Sequence, residues 1–327
     1  MPAQTAQPSV PHTPSTPSAS PIPRTRAWLS WRPWALVGAA LLLSACGAVQ
    51  LAYMNSAHLS HWWLNQRLDF SSAQSDWVKS QLDDTLTWHR RHALPGWVAA
   101  FEQWAQVVPQ TTTPATMCQD IDTMKSKADE IAQRVMPMWA QVARNLSPSQ
   151  LKTLERRIAS DNEDYVDEHL QADPKKRFAA RLERAVERSE RLYGRITDAQ
   201  NKILSDQLRQ SPYSAEDAYA RRQATQQRVL ALIRSQQERW GRSALISEPA
   251  PPEAVQQWRT LWRDFLYPAQ HWPDLAVRNA QAQVEQSTCA MLATLHNATD
   301  AEQRQHWVKV LRGIAEDLGD EIIAPSR

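Results

Sequence analysis

The sequence predicts an all-α protein, a multi-helix bundle of antiparallel helical hairpins with about 10–11 helices. Three observations carry this reading. Seven glycines in 327 residues, six of them beyond residue 46, fall far below the usual share of about 7%. The Asn-Gly and Asp-Gly pairs that close tight β-hairpins are missing. Four segments open with Ser/Thr-x-x-Gln/Glu and continue with apolar residues at helical spacing: Ser71 to Gln74, Ser147 to Gln150, Thr197 to Gln200 and Thr299 to Glu302. In that capping box the hydroxyl accepts the third helical N–H and the Gln or Glu reaches back to the cap.

Residues 1–26 are rich in Pro, Ser and Thr and lack periodicity, as a disordered leader does. Arg24, Arg26 and Arg32 then precede an apolar run, Trp34 to Leu43, and the tetrapeptide Leu43-Ser44-Ala45-Cys46. A basic region, a short apolar region and a small-residue cleavage site make a signal peptide, residues 1–45. The cysteine at its end makes the site a lipobox. Cys46 is expected to become the N-terminus and to carry a covalent diacylglycerol and an N-acyl chain such as palmitate. A spanning helix needs about 20 apolar residues, more than this run supplies. Gly47 replaces the aspartate that holds lipoproteins at the inner membrane. The expected location is therefore the outer membrane, lipid-anchored and facing the periplasm, with the inner membrane as the alternative.

Beyond Cys46, helices are predicted at about 48–67, 72–92, 95–108, 115–145, 148–171, 175–195, 198–209, 215–245, 252–266, 274–296 and 300–322. Pro148 sits at a first helical position, where its missing N–H costs nothing. The breaks fall at Pro109 to Pro114, Asp173-Pro174, Ser211-Pro212 and Glu248 to Pro252. Residues 46–327 are read as one helical domain, with a loop or sub-domain boundary near 247–252. The capping boxes are 76, 50 and 102 residues apart, too irregular for a solenoid.

All three basic residues before Cys46 are arginines without an acid beside them, so the remaining 34 basic and 35 acidic residues leave a net charge of −1. That balance argues against nucleic acid as a partner. Cys118 and Cys289 remain once Cys46 is lipidated. In an oxidising compartment an even pair points to a disulfide, the alternative being two buried thiols.

His89 and His92, at i and i+3, could offer two imidazoles to a metal. Arg90 and Arg91 lie between them and no acid completes the set, so a helix C-terminal role beside Trp88 is preferred. Over 175–195, Arg177, Arg181, Arg184, Arg188, Arg191 and Arg195 form one stripe beside Phe178, Leu182, Ala185, Ser189, Leu192 and Ile196. Asp161, Glu163, Asp164, Asp167 and Glu168 on the preceding helix are expected to pair with the first arginines across a hairpin. Arg188, Arg191 and Arg195 lie beyond that run and are the candidates for an anion or partner surface. Twelve tryptophans follow Cys46. Trp62 and Trp63 sit close to the anchor and are read as core, with a membrane-interface position as the alternative. His296-Asn297 and Tyr193-Gly194 are read as buried polar networks.

The segments LAYMNSAHLSHWWLNQRLDFSSAQ, LTWHRRHALPGWV, LSPSQLKTLERRIASDNEDY, ERSERLYGRITDAQ and TCAMLATLHNATDAEQRQHWVKVLRGIAEDL resemble an uncharacterised family of proteobacterial lipoproteins, a domain of unknown function. The resemblance covers almost all of the chain beyond Cys46. It implies an envelope location and a helical fold, and no activity, cofactor or catalytic residue.

Gly-x-Ser-x-Gly, His-Glu-x-x-His, the P-loop and Gly-x-Gly-x-x-Gly are all missing. No enzyme, metal or cofactor is expected apart from the lipid on Cys46. The first expectation is a non-catalytic interaction or scaffold protein with an envelope partner. The alternative is a carrier or sensor holding an apolar or anionic ligand, such as a lipid, in a Trp-lined pocket.

Overall fold

Helix starts are chemically marked along the chain, and the structure, a computed structural model describing residues 48–323, places a helix at each. The helices are α1 (Ala48–Met54), α2 (Ser56–Leu68), α3 (Ser72–Trp88), α4 (Leu94–Val107), α5 (Pro114–Asn145), α6 (Pro148–His169) and α7 (Pro174–Tyr193). They continue with α8 (Asp198–Gln210), α9 (Ala215–Trp240), α10 (Pro252–Leu266), the single turn α11 (Pro268–His271), α12 (Leu275–Asn297) and α13 (Ala301–Ile323). The protein is all-α, with no strand among the described residues. Cys46 and Gly47 lie outside them.

The boundaries follow the sequence closely, and the departures have local causes. The first predicted helix divides at Asn55, whose side-chain Nδ2 donates to the Leu51 carbonyl at 2.7 Å and competes with the helical bond. The expected break near Ala93 is instead a π-helical turn, His89–Ala93, in which the Leu94 N–H reaches back to the His89 carbonyl. That extra residue absorbs Pro95, whose missing N–H would otherwise interrupt the ladder. α9 stops at Trp240 because Gly241 takes φ +72°, a left-handed conformation that other residues resist. Residues 241–251 are then tied to the end of α5. Asn145 Nδ2 donates to the Ser243 carbonyl, and Gln141 Nε2 to the Glu248 carbonyl. The described residues form one compact unit, with no division near 247–252.

Three capping boxes form as predicted, at Ser71/Gln74, Ser147/Gln150 and Thr197/Gln200. The fourth is shifted by one residue: Asp300 caps α13, and Gln303 closes the box. Thr299 instead donates its hydroxyl to the His296 carbonyl. The four glutamines are buried and meet in pairs, Gln74 with Gln150 and Gln200 with Gln303. These pairs join α2–α3 to α5–α6, and α7–α8 to α12–α13. In both groups the first helix of each hairpin packs on the second helix of the other.

The long α5 links the two groups. Its C-terminal half carries Met136, Ala140, Val142 and Leu146 into the main core, with Leu64, Val78, Ile233 and Trp258. Its N-terminal half packs on α12, where Cys118 and Cys289 are joined, their Cα atoms 5.4 Å apart. α4 lies along α13, burying Ala105 and Val108 against Val308 and Leu311.

Candidate functional site

Five helices drawn from three separate stretches of the chain turn apolar faces toward a common groove. α5 contributes Met136, Trp139, Val142, Ala143 and Leu146, and α10 contributes Trp258, Leu261, Trp262 and Phe265. Both sets recur at three- and four-residue steps, as one face of a helix requires. α9 adds Thr225, Val229 and Ile233 at every fourth position, α2 adds Trp63, Leu64, Arg67 and Leu68, and α6 adds Leu154. The groove encloses about 340 Å³, within the 300–1,000 Å³ span usual for ligand sites.

Several polar atoms of these residues, those of Trp258, Trp262, Thr225 and Arg67, have partners elsewhere, and the lining is largely apolar. Trp258 Nε1 donates to Gln236 Oε1 at 3.1 Å, and Trp262 Nε1 to Asp129 Oδ1 at 2.9 Å. The Thr225 hydroxyl donates back to the Arg221 carbonyl at 2.9 Å. Arg67 pairs with Asp161 at 3.1 Å while its guanidinium covers the Trp63 ring at 3.8 Å.

Thr225 and Phe265 also line an adjoining hollow of about 330 Å³ that is bordered by Tyr165, Arg221, Arg222, Gln226 and Trp272. Arg222 donates to Asn162 Oδ1 and to the Asp161 carbonyl, and lies over the Tyr165 ring. Burial pushes the Tyr165 hydroxyl up to about 12 and holds Arg221 below its ordinary value. The Arg221 side chain makes no hydrogen bond or ion pair among the described residues. This groove with its cationic edge was not visible in the sequence as a site. Its residues span 63 to 265, and no local motif marks their convergence.

The residues singled out in the sequence lie elsewhere. Arg188 and Arg191 on α7 and Arg195 just beyond its end are exposed, without an ion pair among the described residues. The expected salt-bridged hairpin does not form. Arg177 pairs with Glu216, Arg181 donates to the Leu208 carbonyl, and Arg184 reaches only the Glu168 carbonyl. α6 and α7 pack on different neighbours beyond their turn, so the α6 acids look elsewhere, Asp161 toward Arg67 and Arg157. His89 and His92 each have another partner. His89 Nδ1 lies 2.8 Å from the Tyr53 hydroxyl, and His92 Nδ1 lies 3.0 Å from the Trp88 carbonyl, with its ring stacked on Trp88. No group of three or more His, Cys, Asp or Glu among the described residues is placed to hold a metal.

Trp62 and Trp63 are not core residues. They are 57% and 48% exposed, one turn after the exposed Leu59 on α2, and Leu51 on α1 is exposed as well. The polar networks do form: Tyr193 donates to His296 Nδ1 at 2.9 Å, His296 Nε2 donates to the Gln110 carbonyl at 2.8 Å, and Asn297 bridges Thr112.

No helix among the described residues is long and apolar enough to cross a membrane. Comparison with curated proteins and with solved structures finds no match. A family model does match over residues 66–263, more than half of the chain and nearly the span of the groove lining. The chain belongs to this family, the family of unknown function DUF6279.

Proposed function

We propose that this protein is a lipid-anchored envelope protein that holds an alkyl or acyl chain in the groove between α2, α5, α6, α9 and α10, acting as a carrier or sensor and not as an enzyme. The observation that carries the reading is the groove lining, in which four tryptophans present ring surface while the available indole and hydroxyl donors of Trp258, Trp262 and Thr225 are satisfied elsewhere. Such a surface has little to offer a polar substrate and much to offer a chain leaving water, at about 25 cal/mol per Å² of apolar area covered. Trp63 belongs both to the groove and to the exposed apolar residues of α1 and α2. Those residues follow closely on Cys46 in the sequence, which supports an entrance near the anchoring bilayer.

The location rests on the lipobox at Leu43 to Cys46 and on Gly47, which favour the periplasmic face of the outer membrane. The Cys118–Cys289 bond fits an oxidising compartment. On this reading the family is one of envelope lipoproteins.

Gentle extraction of the full chain followed by lipid analysis tests the proposal. One chain-bearing guest per protein is expected, and a Val229→Phe variant, which fills the groove, should lose it while keeping its melting temperature. A guest-free wild type would refute the reading. The scaffold alternative retains one specific observation, the exposed and unpaired Arg188, Arg191 and Arg195. If it holds, replacing all three with Glu should abolish cross-linking to an envelope partner without lowering stability.

A further inference from the structure

The groove carries one uncompensated feature at its edge. Arg221 lines the adjoining hollow, is half-buried, and has neither a hydrogen bond nor an ion pair among the described residues. Its neighbour Arg222 is bonded only to a neutral amide and a carbonyl, those of Asn162 and Asp161. The carboxylates nearby are engaged elsewhere: Asp161 with Arg67 and Arg157, and Asp264 with Arg228. Asp217, one turn before Arg221, acts on it only at a distance. A half-buried guanidinium without an acceptor gives up hydration with no hydrogen bond to replace it.

The positions along α9 connect this charge to the apolar floor. Arg221, Thr225, Val229 and Ile233 recur at every fourth residue, so each lies about 6 Å further along one helix face. Thr225 lines both the hollow and the groove, and marks the passage from one to the other. The stripe therefore runs from a cation, past a threonine methyl, onto isoleucine. It has the polarity profile of an amphiphile with an anionic head and a single tail.

We propose that the ligand is a fatty-acid-like amphiphile, whose one alkyl chain fills the groove and whose carboxylate is received by Arg221, with Arg222 and Tyr165 completing the head-group pocket. This inference rests on the groove reading given above. The planar guanidinium fork matches a carboxylate through two parallel N–H···O bonds, which a hydroxyl head cannot accept. The limited volume suits one chain.

The test uses the full chain in phosphatidylcholine nanodiscs, titrated with dodecanoate and with dodecanol, each brominated at the chain end so that contact quenches tryptophan. Saturable quenching by both probes is expected, abolished in Val229→Phe. Arg221→Gln should weaken dodecanoate about tenfold, in line with a lost charge-assisted hydrogen bond, and leave dodecanol unchanged. If both probes bind alike and Arg221→Gln alters neither, the head-group assignment is overturned while the groove reading stands. If neither probe quenches the wild type more than it quenches Val229→Phe, the groove reading fails, and this inference with it.

Discussion

The side-chain amides of Gln200 and Gln303 hydrogen-bond reciprocally, Nε2 of each to Oε1 of the other, at 2.7 and 2.9 Å. Each keeps its second N–H for a backbone carbonyl beside the partner helix, Gln200 for Ala298 and Gln303 for Arg195. Each oxygen also accepts the backbone N–H of its own N-cap residue, Thr197 or Asp300. A similar arrangement recurs between Gln74 and Gln150, where Gln74 turns its second N–H to Asn145, chiefly the side-chain Oδ1 at 2.6 Å, and Gln150 to the Asp69 carbonyl. A residue that must donate twice and accept twice in a buried site has to be an amide. This is why all four boxes use Gln.

Gln303→Glu is accordingly the least tolerable conservative change in α13. It removes both donors and sets a carboxylate against the Gln200 and Arg195 oxygens. A loss of about 3–4 kcal/mol is expected in denaturant unfolding, consistent with a buried charge that lacks a partner. A loss under about 1 kcal/mol, the scale of a single exposed polar contact, would show that the pair does not hold the two hairpins together.

The boxes show what the sequence made legible. Ser71, Ser147 and Thr197 start helices where the hydroxyl and Gln pattern says they should. At α13 two registers compete, Thr299 with Glu302, which fits the hydroxyl pattern, and Asp300 with Gln303, in which a carboxylate caps instead. The second wins because only Gln303 can answer the amide of Gln200, a partner 103 residues away. The arginine stripe failed in the same way. Its regularity was real, but the expected acids belonged to a helix that packs elsewhere. The groove was illegible because its five faces are each ordinary core stripes, and only their convergence leaves space between them.

The Cys118–Cys289 bond spans 171 residues and joins α5 to α12. By the chain-entropy argument a loop of that length contributes about 5 kcal/mol at most. Cys289 is buried, so the paired change to Ala also leaves a small void. The double Ala variant is expected to melt several degrees below the wild type, and the wild type in reductant should approach it. Coincident melting curves for oxidised wild type and variant would mean that the bond adds no net stability.

His296 is buried and neutral, a proton on Nε2 donating to Gln110 and Nδ1 accepting from Tyr193. Burial lowers its proton affinity, Arg304 lowers it further, and the Gln110 bond opposes them. The unfolded chain therefore takes up a proton near pH 6.5 that the folded chain refuses. Stability contributed by the neutral ring is present above that pH and falls away as the pH drops below it. His61, His89 and His169 are displaced in the same direction. His296→Gln should cost about 1–3 kcal/mol at pH 7.5 and flatten the fall in stability between pH 6.5 and 5. An unaltered slope would assign that fall to the other histidines.

Leu51, Leu59, Trp62 and Trp63 expose apolar surface on the two short helices that follow soon after Cys46 in the sequence. Their exposure means that replacing them removes little packing, while tryptophan is favoured at the bilayer interface. Leu59→Glu and Trp62→Glu should therefore change folding stability by no more than about 0.5 kcal/mol. In vesicles of lipids brominated just below the head groups, wild-type tryptophan fluorescence should be quenched, and both substitutions should relieve part of that quenching. Trp62→Phe identifies the residue responsible, since it removes one fluorophore and leaves the face apolar. Quenching equal in the wild type and in Leu59→Glu would mean that this face turns to water. The groove would then have to receive its chain from solution, and Trp63 would be a lining residue without a part in its entry.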